Sequence, residues 1–109
     1  MLSFAALLSA LTGVAQTPDS QVLMDNGPAT NRYNLVVIGD GYTLAQQSTF
    51  YDDATNLLAG IFDETPFSNY ASYFNATAVF VASNESGADK GSDTQDTALD
   101  SYYYCGGIE

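Results

Sequence analysis

The clearest structural signal in the chain is the sequence NLVVIGDGYT at residues 34–43. Residues 34–38 are predicted as a strand: after Asn34, residues 35–38 are an apolar run rich in branched side chains, without alternating polar residues. Such a run is typical of a strand buried on both faces, as in a parallel sheet covered by helices. The GDG at residues 39–41 ends the strand and predicts a tight turn into the next element.

The sequence after this turn predicts a helix. Thr43 followed by Gln46 is a capping-box pattern, which marks a helix start. The helix is expected to extend to about Glu64, because Pro66 cannot continue it. Five apolar side chains recur at helical spacing and form one stripe: Phe50, Ala54, Leu57, Leu58 and Ile61.

A second strand is predicted at residues 75–82, after a short helical turn at 68–73. A strand, a helix and a strand of these lengths form a βαβ unit, so the predicted fold class is α/β, with this unit in a mostly parallel sheet. The polar residues 83–97 predict a long surface loop. Residues 98–105 predict a strand or a packed extended segment.

The amino-terminal residues predict an export signal, and hence a secreted or extracytoplasmic protein. Residues 2–14 have the length of a signal-peptide core and are too short for a membrane span, which needs about 20 residues. Small residues at 13–15 suit cleavage before Gln16, although no basic residue precedes the run. The alternative is a helix that packs on the domain. The expected division is a signal peptide at 1–15, a turn-rich linker at 16–33 and part of a larger domain at 34–109.

The charge of the chain argues against several kinds of partner. Thirteen acidic residues and two basic ones, Arg32 and Lys90, give a formal charge of −11. Binding to nucleic acid or to an anionic membrane depends on Lys and Arg, so neither is expected. The chain has no His, so no His-dependent base, serine triad or His-ligated zinc site is complete within these 109 residues.

Asp40, in the turn, has three interpretations. A G-x-G-x-x-G phosphate loop needs a third glycine where this chain has Leu44, and it would place a carboxylate beside a phosphate. A tight turn in which Asp40 bonds local amides is the structural interpretation. A place beside a ligand cleft stays open, because strand carboxyl ends line such clefts in α/β sheets.

The acidic side chains of the loop also have more than one interpretation. Glu85, Asp89, Asp93 and Asp96 have the composition of a hard-cation site, but their spacing does not match a calcium loop. A solvated acidic loop is the simpler interpretation. Nothing in the spacing supports a glycosidase carboxylate pair.

Three smaller features stay open. Cys105 is the only cysteine, and is either a buried apolar residue, a disulfide partner of a cysteine outside the chain, or a thiol that no His activates. The tyrosines at 102–104 suit packing or a ligand platform. Asn75 and Asn84 match the N-glycosylation pattern, which is common by chance.

Four ordered groups of residues resemble the secreted zinc metallopeptidases of the IgA-peptidase family, metallopeptidase family sixty-four. They are LVVIGDGYT at 35–43, PF at 66–67 with YFN at 73–75, ESGAD at 85–89, and DTA at 96–98 with CGGIE at 105–109. The resemblance covers roughly residues 34–109 and implies the start of a larger zinc-peptidase catalytic domain. In that family an H-E-x-x-H helix supplies two His ligands and a Glu general base.

This chain lacks H-E-x-x-H, and the motif is expected beyond Glu109. The resemblance therefore implies zinc and a protein or peptide substrate for the full-length parent, and no catalytic residue, zinc ligand or bound zinc in this chain. The expected cleft loop comprises Glu85, Ser86, Gly87 and Asp89.

The predicted function is that of an amino-terminal fragment of an exported zinc metalloendopeptidase, inactive alone because it has no zinc ligands. The abrupt end after a Gly pair at 106–107 supports a fragment. The alternative is a complete small secreted acidic α/β binding module without catalysis. A nucleotide-binding domain is a distant third.

Overall fold

The computed structural model describes residues 18–103. The predicted signal peptide at 1–15 lies outside the described residues, as does Cys105. Both therefore stay predictions.

Strands and helices fall close to the positions that the sequence predicts. The strands are β1 (Asp19–Met24), β2 (Tyr33–Ile38) and β3 (Phe74–Phe80). The helices are α1 (Gln47–Asp63) and the single turn α2 (Phe67–Tyr70). Short 3-10 turns lie at Ala29–Asn31, Leu44–Gln46 and Ala71–Tyr73. Both predicted strands, the long helix and the aromatic helical turn are confirmed.

The three strands form one mixed sheet in the order β1-β3-β2. β2 lies parallel to β3, with Tyr33 opposite Phe74 and Ile38 opposite Val79, and α1 lies between them in the chain. β1 runs antiparallel to β3. The α/β class is confirmed, whereas a mostly parallel sheet is not, because the described sheet has one parallel and one antiparallel pair.

β1 lies inside the segment 16–33, and the prediction of a linker there missed this strand. Leu23 packs against the core, and the Asp19 carboxylate accepts hydrogen bonds from Gln47 at 2.6 Å and Tyr51 at 2.9 Å. The strand depends on pairing with β3 and on contacts with α1, and its sequence DSQVLM has no regular apolar alternation. The hydrophobic pattern of residues 19–24 therefore does not predict β1. The division of the chain into domains stays a prediction.

Helix α1 covers one face of the sheet. The predicted capping box is confirmed, since Gln46 Oε1 accepts a hydrogen bond from the Thr43 N–H at 3.0 Å. Of the predicted stripe, three residues are buried, whereas Leu57 is 53% exposed. The buried apolar core comes from α1 and β3 and consists of Phe50, Ala54, Leu58, Ala76, Ala78 and Phe80.

The prediction that β2 is buried on both faces is wrong for the described residues. Leu35 and Val37 are half-buried, and Val37 packs against the core on the side of α1. Val36 and Ile38, which alternate with them, are 60% and 55% exposed. β2 is an edge strand here, and the described residues place a helix on one face of the sheet only.

Candidate functional site

The turn after β2 brings its backbone against the loop at 83–97. At Gly39 an added Cβ would lie 2.5 Å from the ring of Phe50. Gly41 has a φ of +73°, and an added Cβ there would overlap the carbonyl oxygen of Gly87. The Gly87 N–H donates to the Gly41 carbonyl at 3.0 Å. Glycine at position 41 is therefore required both for the backbone angle and for the close approach of the two segments.

Asp40 anchors the segment 97–101 to this turn. Its Oδ1 accepts a hydrogen bond from the Leu99 N–H at 3.0 Å. Its Oδ2 accepts from the Ser101 N–H at 3.0 Å and from Thr97 Oγ1 at 2.8 Å, and the Ser101 hydroxyl donates to the same oxygen. The prediction of bonds to local amides is wrong, because these donors lie 57 to 61 residues further along the chain.

The hydrogen bonds keep Asp40 ionised. Burial alone would raise the pKa of this carboxyl group, but the hydrogen bonds from Ser101, Thr97 and Leu99 together outweigh it and hold the pKa well below its usual range. A general base works best when its pKa lies near the working pH. Asp40, with both oxygens already accepting, is therefore an anchoring anion rather than a base.

Ser83 joins the same turn to the loop from inside the fold. It is only 6% exposed, and its Oγ accepts hydrogen bonds from the Gly41 N–H at 3.1 Å and the Ala98 N–H at 3.0 Å. The hydroxyl donates to Asp40 Oδ1 at 3.4 Å. The sequence reasoning missed Ser83, Thr97 and Ser101, because nothing in a polar loop distinguishes these hydroxyls from their neighbours.

The acidic side chains of the loop accept hydrogen bonds from the loop's own amides. Asp89 Oδ1 accepts from the Gln95 N–H at 2.6 Å, and Glu85 Oε2 accepts from the Asp96 N–H at 2.7 Å. Asp93 Oδ1 accepts from the Gln95 side chain at 3.2 Å. Over residues 18–103, no group of three or more His, Cys, Asp or Glu is placed to hold a metal ion. These contacts favour the interpretation as an acidic surface loop.

The four residues of the predicted cleft loop lie near the carboxyl end of β2: Glu85, Ser86, Gly87 and Asp89. Gly87 contacts the turn directly through its hydrogen bond to Gly41. The Asp89 N–H donates to the Ser101 carbonyl at 3.2 Å, and the Tyr103 N–H donates to the Asp89 carbonyl at 2.7 Å. Ser86 is exposed. The structure thus brings this loop beside the GDG turn, a proximity that residue spacing does not reveal.

The two glycosylation-pattern asparagines have side chains engaged within the fold. Asn75 donates to the Gly27 carbonyl at 2.9 Å, and its Oδ1 accepts from the Asn26 N–H at 2.8 Å. Asn84 donates to Asp96 Oδ2 at 2.8 Å. Attachment of a glycan to either amide nitrogen would disturb these contacts.

The predicted extended segment at 98–105 is partly within the described residues. Tyr102 forms an isolated parallel bridge with Asp89, so this segment runs beside the acidic loop. As whole residues, Tyr102 and Tyr103 are 57% and 56% exposed.

The chain is an α/β scaffold that holds the loop at 83–97 beside the carboxyl end of β2. In α/β proteins, ligand clefts lie at the carboxyl ends of the strands. The IgA peptidase M64 family model matches residues 22–109, and the chain belongs to this peptidase family. The resemblance seen in the sequence is thereby confirmed. A search of curated proteins gave no match.

The family is one of metallopeptidases, which is consistent with zinc in the parent protein. The residues described here do not fit a zinc site: the carboxylates of the acidic loop are engaged by amides, and the chain has no His. Among residues 18–103, no helix is long and apolar enough to cross a membrane.

Proposed function

We propose that this chain is the amino-terminal part of an exported zinc metalloendopeptidase, in which it forms scaffold and one wall of the substrate cleft. Family membership supports the peptidase class. The observation that carries the cleft-wall role is that Asp40, at the carboxyl end of β2, holds the end of the acidic loop at Thr97 and the residues that follow it. A wall held in this way keeps its shape while a substrate is positioned against it.

The zinc ligands are proposed to lie outside residues 1–109, since this chain contains no His. Zinc held elsewhere in the parent would supply Lewis-acid chemistry for hydrolysis of the peptide bond. The residues of this chain position the loop and supply no ligand. Hydrolysis of a peptide by the parent is expected to stop with a chelator and to return with added zinc. Activity that a chelator does not change would contradict the zinc proposal.

The cleft-wall role is tested by comparing two bulky substitutions in the parent enzyme. Ser86→Trp adds an indole to an exposed position of the proposed wall, whereas Asn56→Trp adds it to the exposed surface of α1. Ser86→Trp is expected to raise KM severalfold, and Asn56→Trp to leave it unchanged. Equal kinetic constants for the two variants would place the loop outside the cleft.

Export is proposed from the apolar residues 2–14 and the small residues before Gln16. Mass spectrometry of the protein from the culture medium is expected to find Gln16 as the first residue. Retention inside the cell with Met1 in place would instead support the alternative of a helix that packs on the domain.

A further inference from the structure

An aromatic cleft lies at the amino ends of β2 and β3, at the opposite end of β2 from Asp40. Its volume is about 290 Å³, and six side chains line it: Tyr33, Pro66, Phe67, Tyr70, Tyr73 and Phe74. The rings of Tyr33 and Phe74 lie 5.3 Å apart, and those of Tyr70 and Tyr73 lie 6.3 Å apart. Tyr33 is 70% exposed and Tyr70 is 56% exposed. The cleft therefore exposes aromatic side chains to solvent, chiefly those of Tyr33 and Tyr70.

Arg32 lines a second hollow, of about 270 Å³, which shares Tyr33 and Tyr73 with the aromatic cleft. Its Nε donates to the Asn26 carbonyl at 3.0 Å, and its Nη1 donates to the carbonyl and side-chain oxygens of Asn31. All these acceptors are neutral. Within residues 18–103, no carboxylate accepts a hydrogen bond from Arg32, and its Nη2 donates none.

The chain has thirteen acidic residues and only one arginine, so carboxylate partners for Arg32 are plentiful in the sequence. None of the described ones accepts a hydrogen bond from it. The Arg32 guanidinium is half-buried and is held in place by neutral acceptors. Its positive charge is therefore not paired with a carboxylate of the described residues and can pair with an anionic ligand. Arginine binds carboxylates through charge-assisted hydrogen bonds, and aromatic faces bind flat or apolar groups. The two joined hollows therefore complement a ligand with one anionic group beside one apolar group.

We propose that this cleft binds the carboxyl-terminal residue of a peptide, with an aromatic or large apolar side chain against the rings and the α-carboxylate at Arg32. The volume of the aromatic cleft lies just below the range for drug-sized ligand pockets, roughly 300–1,000 Å³, and suits a single residue. The inference goes beyond the proposed peptidase function and does not depend on it, because binding is measured on this chain directly.

The test uses the full 109-residue chain and a short dye-labelled peptide that ends in phenylalanine. Fluorescence anisotropy compares the free acid with the same peptide carrying a carboxyl-terminal amide. The free acid is expected to bind about tenfold more tightly, because the amide loses the ion pair with the guanidinium. Equal binding of the two peptides, or binding of neither, would overturn the proposal.

Matched variants test separately whether Arg32 binds the carboxylate and whether the aromatic cleft binds the side chain. Arg32→Gln is expected to remove the preference for the free acid, whereas Lys90→Gln, with the same charge change in the exposed acidic loop, leaves it intact. Tyr70→Ala is expected to weaken binding of both peptides. Arg32 also holds the 26–31 turn, so circular dichroism confirms that each variant is folded. If Arg32→Gln unfolds, Tyr70→Ala decides the matter: unchanged binding would contradict the proposal.

Discussion

The Asp40 carboxylate lies 3.0 Å from the backbone nitrogen of Ser101, although 61 residues separate the two in the chain. This hydrogen bond ties the carboxyl end of β2 to the residues that follow the acidic loop. The hydrogen bond between Gly87 and Gly41 holds the first part of the same loop against the turn. The shape of the proposed cleft wall therefore depends on the turn at 39–41.

Asp40→Asn is expected to lower the free energy of unfolding by about 2 kcal/mol, because five donors lose a charged acceptor. Limited proteolysis within residues 84–96 is expected to become faster, since the loop loses its anchor. Urea unfolding followed by circular dichroism measures the first effect. Asp52→Asn makes the same charge change on the exposed surface of α1, and is expected to alter stability by less than about 0.5 kcal/mol. Equal effects of the two substitutions would show that net charge alone is responsible.

The stability that Asp40 provides is expected to depend on pH in a definite direction. In the folded chain, the pKa of Asp40 is depressed below its unfolded value of about 4. Above pH ~4, Asp40 therefore makes its full contribution to the free energy of unfolding. The contribution is lost as the pH falls from about 4 towards the folded pKa. The stability difference between the wild type and Asp40→Asn is therefore expected to be constant from about pH 7 to 5 and to shrink below about pH 4. Parallel stability curves down to about pH 3 would contradict this account.

Gly41→Ala is expected to destabilise the chain by about 3 kcal/mol or more, because the new Cβ would overlap the Gly87 carbonyl at a positive φ. Gly60→Ala is the matched control. Gly60 lies in α1 with nothing within 4 Å of an added Cβ, so this change is expected to stabilise by about 0.5–1 kcal/mol. Thermal unfolding of both variants measures the contrast. A Gly41→Ala variant as stable as the wild type would mean that the two segments do not approach closely.

Val36→Thr and Val37→Thr test which face of β2 is buried. Val36 is exposed, whereas Val37 packs against the core. Val36→Thr is expected to change stability by less than about 0.5 kcal/mol and to reduce light scattering in concentrated solution, because it shrinks an exposed apolar face. Val37→Thr is expected to cost about 1–2 kcal/mol, since it places a hydroxyl against apolar side chains. Equal costs would mean that both faces are covered.

The parts of the fold that depend on nearby residues were predictable from the sequence. The capping box of Thr43 and Gln46 involves positions three apart, and the burial of Phe50, Ala54 and Leu58 follows from helical spacing. Likewise, the apolar runs around β2 and β3 are continuous in the chain.

The parts that depend on distant contacts were not predictable. β1 is held by β3 and by Gln47 and Tyr51, and the partners of Asp40 lie beyond any local pattern. The cleft loop was suggested by resemblance to the family alone. Its position beside the turn depends on two backbones that meet at Gly41 and Gly87.

The most direct test of the central claim, that this chain belongs to a zinc peptidase whose metal ligands lie elsewhere, is to sequence the coding DNA beyond the Glu109 codon. Roughly 600 bases encode about 200 further residues, more than the ~100–150 residues that are commonest for one domain. The account predicts an open reading frame that encodes H-E-x-x-H. A stop codon directly after Glu109 would contradict it and would favour a small exported binding module.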